Sequence, residues 1–239
     1  MSAMSAIRLA PEQVMVRVVD AKNLDRYRAR LVTCLSTEDL ARLDRYSNQA
    51  AGAMFLAARA ALRLLLGQIL ATAPSEVQIA TMEHGKPYLP ACPQLFFNIS
   101  HSRNIALIAI ARHPVGIDVE FLRRPVDFAA VMRRFFSEDE RYDWQLNSVP
   151  NPQAAFFRGW TRKEAILKAT GEGIAGLGHT RVSFKPDEPR ALKERLNDPS
   201  QSVEWLFNDF CPAPDYQAAV ALKAPALQLT IEAFSMPGL

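Results

Sequence analysis

The chain has 239 residues, of which 49% are hydrophobic and 22% are charged, and its formal net charge is +3. These values indicate an ordinary globular protein that can bury a sizeable core, as one large domain or as two packed halves. The mild positive charge fits a phosphate-rich small ligand or an acidic partner. It is too weak to indicate a nucleic-acid-binding protein.

Cysteine use and the apolar segments bear on the compartment. The three cysteines are far apart and have no metal-type spacing, which favours a reducing compartment. Residues 1–13 lack the basic start and apolar core of a signal peptide. The most apolar helix candidate, 54–70, contains Arg59 and Arg63 and is shorter than a membrane span requires. The sequence therefore predicts a cytoplasmic protein with no membrane segment.

Hydrophobic periodicity, turn residues and helix caps predict an α+β protein. Ser137 and Glu140 form a capping-box pattern, and Gly171 ends a long helix in the second half. Residues 84–90, HGKPYLP, have the composition of a turn. Strands are predicted at 13–19, 77–81, 95–99, 105–111, 115–121, 181–185, 202–208, 216–222 and 228–234. Helices are predicted after Ser36, at 50–70, at 125–136, from 137 onward and at 153–170.

An internal repeat runs through these elements. Segments 106–120 and 218–232 both contain an apolar strand, a proline turn and a second strand that ends in glutamate. Segments 58–67 and 162–171 are helix ends of equal length that close on glycine. The order helix, strand, hairpin therefore occurs twice, and we expect two similar halves packed against each other.

Asp118 and Glu120 lie two positions apart in the apolar run 115–121. A strand has a period of two, so both side chains point to one face. An amphipathic strand with its carboxylates in water is the ordinary interpretation. A divalent cation is the alternative, because carboxylate oxygens suit magnesium and the metal would cancel their mutual repulsion. In the internal repeat Asp118 matches Thr230, so the strand itself does not require the carboxylate.

Glu164 and Lys168 lie one turn apart on the predicted helix 153–170. In isolation this spacing is typical of an exposed i,i+4 ion pair. The functional alternative is a metal carboxylate or general base beside a lysine that contacts phosphate. Glu164 matches Ala60 in the internal repeat, so helix packing does not explain it.

Three smaller groups of residues admit both structural and functional interpretations. Ser100 and His101 lie at a strand end and could donate to a phosphate, although a lone histidine is more often structural. The turn Gly85-Lys86-Pro87 lacks the spacing of a P-loop. Arg42 belongs to a set of helix-borne arginines that form either a solvated face or a site.

The order of these motifs is more specific than any one of them. GKP at 85–87, NISHS at 98–102, GIDVE at 116–120, FFS at 135–137 and WTRKEAILKATGEG at 160–173 follow one another. This set resembles the 4′-phosphopantetheinyl transferases, in particular the large, monomeric, surfactin-synthetase-activating type. The resemblance spans residues 36 to about 185.

The resemblance implies a fold and a reaction. The fold would be a pseudo-dimer of two α/β halves, residues 1–114 and 115–239, with coenzyme A bound in the cleft between them. The reaction would move 4′-phosphopantetheine from coenzyme A to a serine of an apo acyl or peptidyl carrier protein, with Mg²⁺, and release adenosine 3′,5′-bisphosphate. The carrier would dock on the second half, near 123–136, and the enzyme would be a monomer.

The resemblance also implies site residues, position by position. Asp118, Glu120 and Glu164 would be the magnesium ligands, and Glu164 would also be the base for the carrier serine. Lys168 would contact the pyrophosphate and assist the leaving group. The remaining contacts to coenzyme A would come from Arg42 at the 3′-phosphate, from Ser100 and His101 at phosphate groups, and from Gly85, Lys86 and Pro87 along the nucleotide pocket.

The chain departs from the family pattern in one place. The family usually keeps a second basic residue shortly before the long helix of the first half, whereas 47–55 carries no charge. Binding on the adenosine side would then be weaker, or would depend on Arg42, Arg45 and Arg59. A catalytically inactive module that holds coenzyme A or a carrier protein is the alternative function, and a different magnesium-dependent hydrolase is a third.

Overall fold

Two four-stranded sheets, each covered by one long helix, make up the fold. The structure is a computed structural model that describes residues 9–149, 151–186, 190–193, 203–224 and 226–237. The strands are Gln13–Asp20 (β1), Ala80–Thr81 (β2), Pro87–Tyr88 (β3), Phe96–Ser102 (β4), Ile105–Ala111 (β5), Val115–Phe121 (β6), Arg190–Lys193 (β7), Val203–Phe210 (β8), Tyr216–Leu222 (β9) and Gln228–Ala233 (β10). The α-helices are Ala21–Leu24 (α1), Arg28–Val32 (α2), Thr37–Leu43 (α3), Gln49–Leu70 (α4), Phe128–Phe135 (α5), Glu138–Asn147 (α6) and Pro152–Thr170 (α7).

The two sheets share a pattern of connections. The first has the order β10-β1-β5-β4 and the second the order β6-β9-β8-β7, while β2 and β3 form a separate two-stranded sheet. Helix α4 packs on β1 and β5, and helix α7 packs on β6 and β9. Among the described strands, every pairing is antiparallel except that of β1 with β10, which is parallel. The prediction of an α+β fold is therefore confirmed.

Three buried clusters explain the layers. Alternate residues of the first sheet, such as Met15 and Ile108, pack under α4, whereas Val14 and Leu107 pack against the second sheet. All seven residues of β5 are buried. A strand covered on both faces loses its alternation and becomes a continuous apolar run, as IALIAIA does.

The predicted hairpins of the internal repeat are wrong. Segment 106–120 forms β5 and β6, but these strands lie in different sheets, and 218–232 likewise splits between β9 and β10. A proline turn between two apolar strands is compatible with both a hairpin and a crossing from sheet to sheet. The actual hairpin of the first sheet is β4–β5. Strand β10 belongs to the first sheet, so the division at 114/115 stays a prediction.

Most other predicted elements match, with instructive exceptions. The strand predicted at 77–81 shrinks to Ala80–Thr81, and the helix predicted at 125–136 begins only at Phe128. Residues 181–185 form no strand. There the amides of Val182 and Phe184 donate to the carboxylates of Glu140 and Asp143, at 3.0 and 2.6 Å, instead of to a neighbouring strand.

Helix α4 matches the predicted helix 50–70 to within one residue, and it is longer than the apolar segment 54–70 considered above as a membrane span. It starts at Gln49, spans 22 residues and contains an 18-residue window with a mean hydropathy of 1.6, so by length and composition alone it could cross a membrane. A core helix passes the same test, and 61% of its apolar window is buried. Inside it, Arg63 donates to the buried carboxylate of Asp39. This packing is that of a core helix.

Candidate active site

Polar side chains of strand β4 join the two sheets at one corner. Asn98 Oδ1 accepts the amide of Ile117 at 3.0 Å, Ser100 Oγ donates to Asp118 Oδ1 at 2.8 Å, and Ser102 Oγ accepts the amide of Phe121 at 3.0 Å. Because the three residues alternate along β4, they share one face. The NISHS motif is therefore the seam between the edge strands of the two sheets.

Gly116 brings helix α7 close to this seam. A Cβ atom at this position would overlap the Ala165 carbonyl and the Ala169 amide of α7. A residue without a side chain is needed for the backbones to approach so closely. The contact sets Glu164 and Lys168 beside Asp118.

Asp118 is the centre of the buried polar cluster. Its Oδ1 accepts from Lys168 Nζ at 2.6 Å and from Ser100 Oγ, and Lys168 Nζ also donates to Ser100 Oγ at 2.8 Å. Only 4% of Asp118 is exposed. Its other oxygen, Oδ2, is buried and has no hydrogen-bond partner. A buried carboxylate oxygen without a partner is costly, so this atom is suited to a ligand.

The two other predicted metal ligands, Glu120 and Glu164, lie where their ionised forms are disfavoured. Burial, together with the charge of Asp118, raises the pKa of Glu120 to about 7, although Arg124 pairs with it at 3.2 Å. Burial and the same charge also raise the pKa of Glu164. Both carboxyls therefore lie where a further positive charge would stabilise their ionised forms.

A cavity of about 1360 Å³ opens in front of this cluster. Its walls come from both halves, and most of the predicted site residues line it: Arg42, Gly85, Lys86, Pro87, His101, Glu164 and Lys168. Ser100, Asp118 and Glu120 are not among the described lining residues. Ser100 and Asp118 are reached from the cavity through Lys168, which bonds to both.

Lys86 crosses from the first half to the second. It follows Gly85, whose φ of 83° makes the turn, and its Nζ donates to the carbonyl of Ala169 near the end of α7. Its aliphatic stem packs beside Gly171, which caps α7 with a φ of 78°. Burial lowers the pKa of Lys86 to about 8. The GKP turn therefore touches the C-terminal turn of the helix that carries Glu164.

Three helix-borne arginines of the first half line the cavity and differ in their partners. Arg63 is buried and bonds to Asp39, which also pairs with Arg59 at 3.1 Å. Arg42 is exposed at the cavity, with its guanidinium 5.0 Å from the centre of the Phe55 ring. Arg59 lies over the same ring at 5.8 Å. Arg42 and Arg59 thus present two cations on one wall, whereas Arg63 holds the structure together.

Sequence reasoning gave no role to the two residues before Glu164. Lys163 is buried and donates to Glu140 at 2.8 Å and to the Phe135 carbonyl at 2.9 Å. Arg162 pairs with both oxygens of Asp209. The capping-box pattern had indicated Glu140 only as a helix cap, yet the same carboxylate anchors α7. These bonds fix the rotation of α7 about its axis, and thereby the direction of Glu164.

The predicted metal ligands are not preassembled. In the ranges that the structure describes, no group of three His, Cys, Asp or Glu side chains is arranged to hold an ion. Lys168 already provides the positive charge beside Asp118. The unpartnered Asp118 Oδ2 and the raised pKa of both glutamates nevertheless fit a cation that would join them.

Comparison with known proteins identifies the family. Residues 114–221 match the family model described as the 4′-phosphopantetheinyl transferase superfamily, and residues 24–113 match the model for the 4′-phosphopantetheinyl transferase N-terminal region. The 4′-phosphopantetheinyl transferase HetI of Nostoc sp. (strain PCC 7120) is 38% identical over 198 residues, which is 80% of each chain. This chain belongs to the 4′-phosphopantetheinyl transferase superfamily.

Two Bacillus members of the superfamily extend the match. The 4′-phosphopantetheinyl transferase psf-1 of Bacillus pumilus is 30% identical over 220 residues, 92% of each chain. The 4′-phosphopantetheinyl transferase Sfp of Bacillus subtilis (strain 168) is 32% identical over 122 residues, which is 47% of this chain and 54% of that protein. The similarity to the surfactin type is thus partial, and the subtype stays a prediction.

Proposed function

We propose that this phosphopantetheinyl transferase moves the 4′-phosphopantetheine group from coenzyme A to a serine of an apo carrier protein. One observation carries the proposal. Glu164 and Lys168 lie one turn apart on α7 and line a cavity whose other walls hold Arg42, Lys86 and His101. A pyrophosphate and a 3′-phosphate require several cations, and a serine nucleophile requires a base, and the cavity offers both.

The cations divide between the ends of the ligand. Arg42, on the wall of the first half, would bind the 3′-phosphate, with Arg59 beside it. Lys86 and His101 would bind phosphate oxygens nearer the centre, where Gly85 and Pro87 form the wall. Lys168 would contact the pyrophosphate from α7 and offset the charge that develops on the departing phosphate. Ser100, bonded to Lys168, would orient that ammonium.

The superfamily uses coenzyme A and a divalent metal, and Mg²⁺ in this chain is part of the proposal. Asp118, through its unpartnered Oδ2, and Glu120 and Glu164 would hold the cation. When bound, it would neutralise charge on the pyrophosphate and permit all three carboxylates to ionise together. Hard carboxylate oxygens are the donors that Mg²⁺ prefers.

The bond changes follow from these positions. Glu164 would take the proton of the carrier serine as its oxygen forms a bond to the phosphorus that carries pantetheine. The bond from that phosphorus to the 5′-phosphate oxygen of the adenosine side would break, and adenosine 3′,5′-bisphosphate would leave with the bond's electron pair. Lys168 would hold the departing oxygens.

The carrier and the assembly are further parts of the proposal. Carrier proteins are usually acidic around their serine, and α5, in the second half of the chain, exposes Arg133 and Arg134. A monomer suffices, because one chain supplies both walls of the cavity. A cytoplasmic location would give access to coenzyme A and to the carriers.

Intact-mass analysis tests the proposed function. An apo carrier protein incubated with coenzyme A, Mg²⁺ and the enzyme should gain one phosphopantetheine. EDTA or the substitution Glu164→Ala should prevent the gain. If coenzyme A binds but no carrier from fatty-acid, polyketide and peptide systems gains mass, the chain is a binding module. Cleavage of coenzyme A without a carrier would instead indicate a hydrolase.

A further inference from the structure

The two oxygens of Asp118 differ in their hydrogen bonds. Oδ1 accepts two hydrogen bonds, from Lys168 Nζ at 2.6 Å and from Ser100 Oγ at 2.8 Å, whereas the buried Oδ2 accepts none. The side chain of Lys168 is 28% exposed and lines the cavity. Part of the Lys168 side chain is therefore accessible to a ligand in the cavity while its ammonium bonds to Asp118.

Two positive charges compete for this carboxylate. A divalent cation on Oδ2 would be close enough to the Lys168 ammonium to be repelled by it, because both oxygens belong to one carboxylate. A cation that takes both oxygens would have to displace the ammonium altogether. In either case Lys168 lowers the affinity of the site for the cation until its ammonium pairs with another anion.

We propose that Lys168 is the resident counter-ion of Asp118 and weakens divalent-cation binding until a pyrophosphate enters the cavity and draws the ammonium away. This inference rests on the proposed function for the identity of the pyrophosphate ligand. Lysine suits such an exchange because its ammonium is a compact charge on a flexible stem. Ser100, which bonds to Lys168 at 2.8 Å, keeps a partner for Asp118 Oδ1 after the exchange.

The exchange couples two binding events. Coenzyme A that removes the ammonium strengthens cation binding, and by thermodynamic reciprocity the cation strengthens coenzyme A binding by the same factor. The pyrophosphate can also touch the cation directly, so coupling alone does not identify the lysine. The discriminating quantity is cation affinity in the absence of coenzyme A.

Electron paramagnetic resonance of Mn²⁺, as a stand-in for Mg²⁺, measures that affinity on the full chain. Lys168→Met should bind Mn²⁺ more tightly than the wild type without coenzyme A, on the order of tenfold within the usual range of coupling between sites. Coenzyme A should then tighten Mn²⁺ binding less in Lys168→Met than in the wild type. Lys168→Arg, which keeps the cation, should bind Mn²⁺ like the wild type. Methionine and arginine are both good helix formers, so α7 should remain folded.

Lys86→Met is the matched control. Lys86 lines the same cavity but donates to a carbonyl, not to a carboxylate. It should leave Mn²⁺ affinity near the wild-type value. Unchanged or weaker Mn²⁺ binding by Lys168→Met, or equal tightening by Lys86→Met, would overturn the inference.

The measurement also separates this inference from the proposed function. It requires neither a carrier protein nor turnover. Tighter Mn²⁺ binding by Lys168→Met, with no transfer by the wild type to any carrier, would support the counter-ion role of Lys168 and contradict the proposed transferase function. Full transfer by the wild type, with unchanged Mn²⁺ affinity in Lys168→Met, would support the transferase function and contradict the counter-ion role.

Discussion

The two long helices occupy corresponding places on the two sheets but differ in what they bury. Helix α4 covers the first sheet with small and aliphatic residues, among them Ala60, Ala61 and Leu62, which are fully buried. Helix α7 covers the second sheet with Ala165 and Ile166, equally buried, but sets Glu164 beside them at the cavity. Both helices pack on a sheet through small and aliphatic residues, but only α7 also places a carboxyl group at the cavity.

The ends of the helices show the same contrast. The predicted repeat aligned Gly67 with Gly171, but α4 continues past Gly67 and is capped by Ala71 at a φ of 52°. Gly171 is a left-handed cap in contact with Lys86. Both helices thus end in a left-handed cap, but only the cap of α7 contacts a lysine that lines the cavity. Residues that stabilise the fold therefore differ from residues that serve the reaction, and substitutions should affect either stability or activity.

The largest effect is expected for Glu164→Ala, which gives α7 the residue that α4 has at Ala60. Transfer to the carrier should fall by about 10²–10⁴-fold, the usual contribution of a general base. The melting temperature should not fall, because burial of the ionised carboxyl is unfavourable in the folded protein. The rate of transfer, followed by the mass of the carrier, and a thermal melt of the variant check the two expectations. A large loss of melting temperature would show that Glu164 is structural.

Lys163→Met, one residue before Glu164, should lower stability, whereas Glu164→Ala should lower activity. It removes the ammonium that bonds to Glu140 and leaves a buried carboxylate without its cation. Breaking a buried pair in this way costs about 3–5 kcal/mol of unfolding free energy. Urea denaturation measures the loss, and Lys163→Met combined with Glu140→Gln should recover part of it. A loss below about 1 kcal/mol, the size of an exposed pair, would contradict the anchoring role.

Gly116→Ala tests the close approach of α7 to β6. The added methyl group would overlap the backbone of Ala165, so we expect a loss of roughly 1–3 kcal/mol in unfolding free energy, the usual effect of overpacking. Gly178→Ala is the control, because a Cβ there meets nothing within 4 Å. Equal stability of the two variants in urea would refute the requirement for glycine.

The proposed phosphate contact of Lys86 should make ligand binding pH-dependent. The pKa of Lys86 is lowered to about 8, so the ammonium is present below that pH and is lost above it. Affinity for adenosine 3′,5′-bisphosphate, which has no thiol, should fall by up to about tenfold as the pH rises from 7.5 to 9.5, the effect of one charge-assisted hydrogen bond. Isothermal titration measures it, above the range where histidine titrates. Lys86→Arg should flatten the profile; an unchanged slope would exclude Lys86.

The smallest effect concerns the carrier surface. Arg133→Glu should raise the KM for an acidic carrier by about three- to tenfold and leave the KM for coenzyme A unchanged, because exposed charges act mainly on encounter. Arg28→Glu, at an exposed position of α2 in the first half, is the control. Arg124 is unsuitable for this test, since it pairs with Glu120. Equal carrier KM values for both variants would place docking elsewhere.

The sequence predicted the elements whose signals are local. The long helix at 50–70 and the strands at 105–111 and 216–222 follow from runs of apolar residues, and the Ser137 cap follows from its motif. The hairpins failed because partner choice is non-local: β5 and β6 are neighbours in the chain but pair with β1 and β9. The strand at 181–185 failed because carboxylates of α6, not a strand, accept its amides.

The candidate site was predictable as a set of residues but not as a network. The order of the motifs gathered Lys86, His101, Glu164 and Lys168, and the cavity brings these four together. The bonds between Lys168, Ser100 and Asp118 could not be foreseen, because residues 68 and 50 positions apart meet there. The resemblance selected Lys168 for the site but gave no role to Lys163, because only the structure shows that Lys163 is buried against Glu140.

The return of β10 to the first sheet has a consequence for synthesis on the ribosome. A chain emerges from its N-terminus, and domains generally fold as units in that order. Here β1 exposes an unpaired edge until Gln228–Ala233 arrives to pair with it, and Met236 then fills the core beneath α4. The first sheet is therefore completed by a strand that follows every strand of the second sheet in the chain. Expressed alone, residues 1–114 would present an open strand edge, and the natural way to rescue them is to supply the rest of the chain in trans.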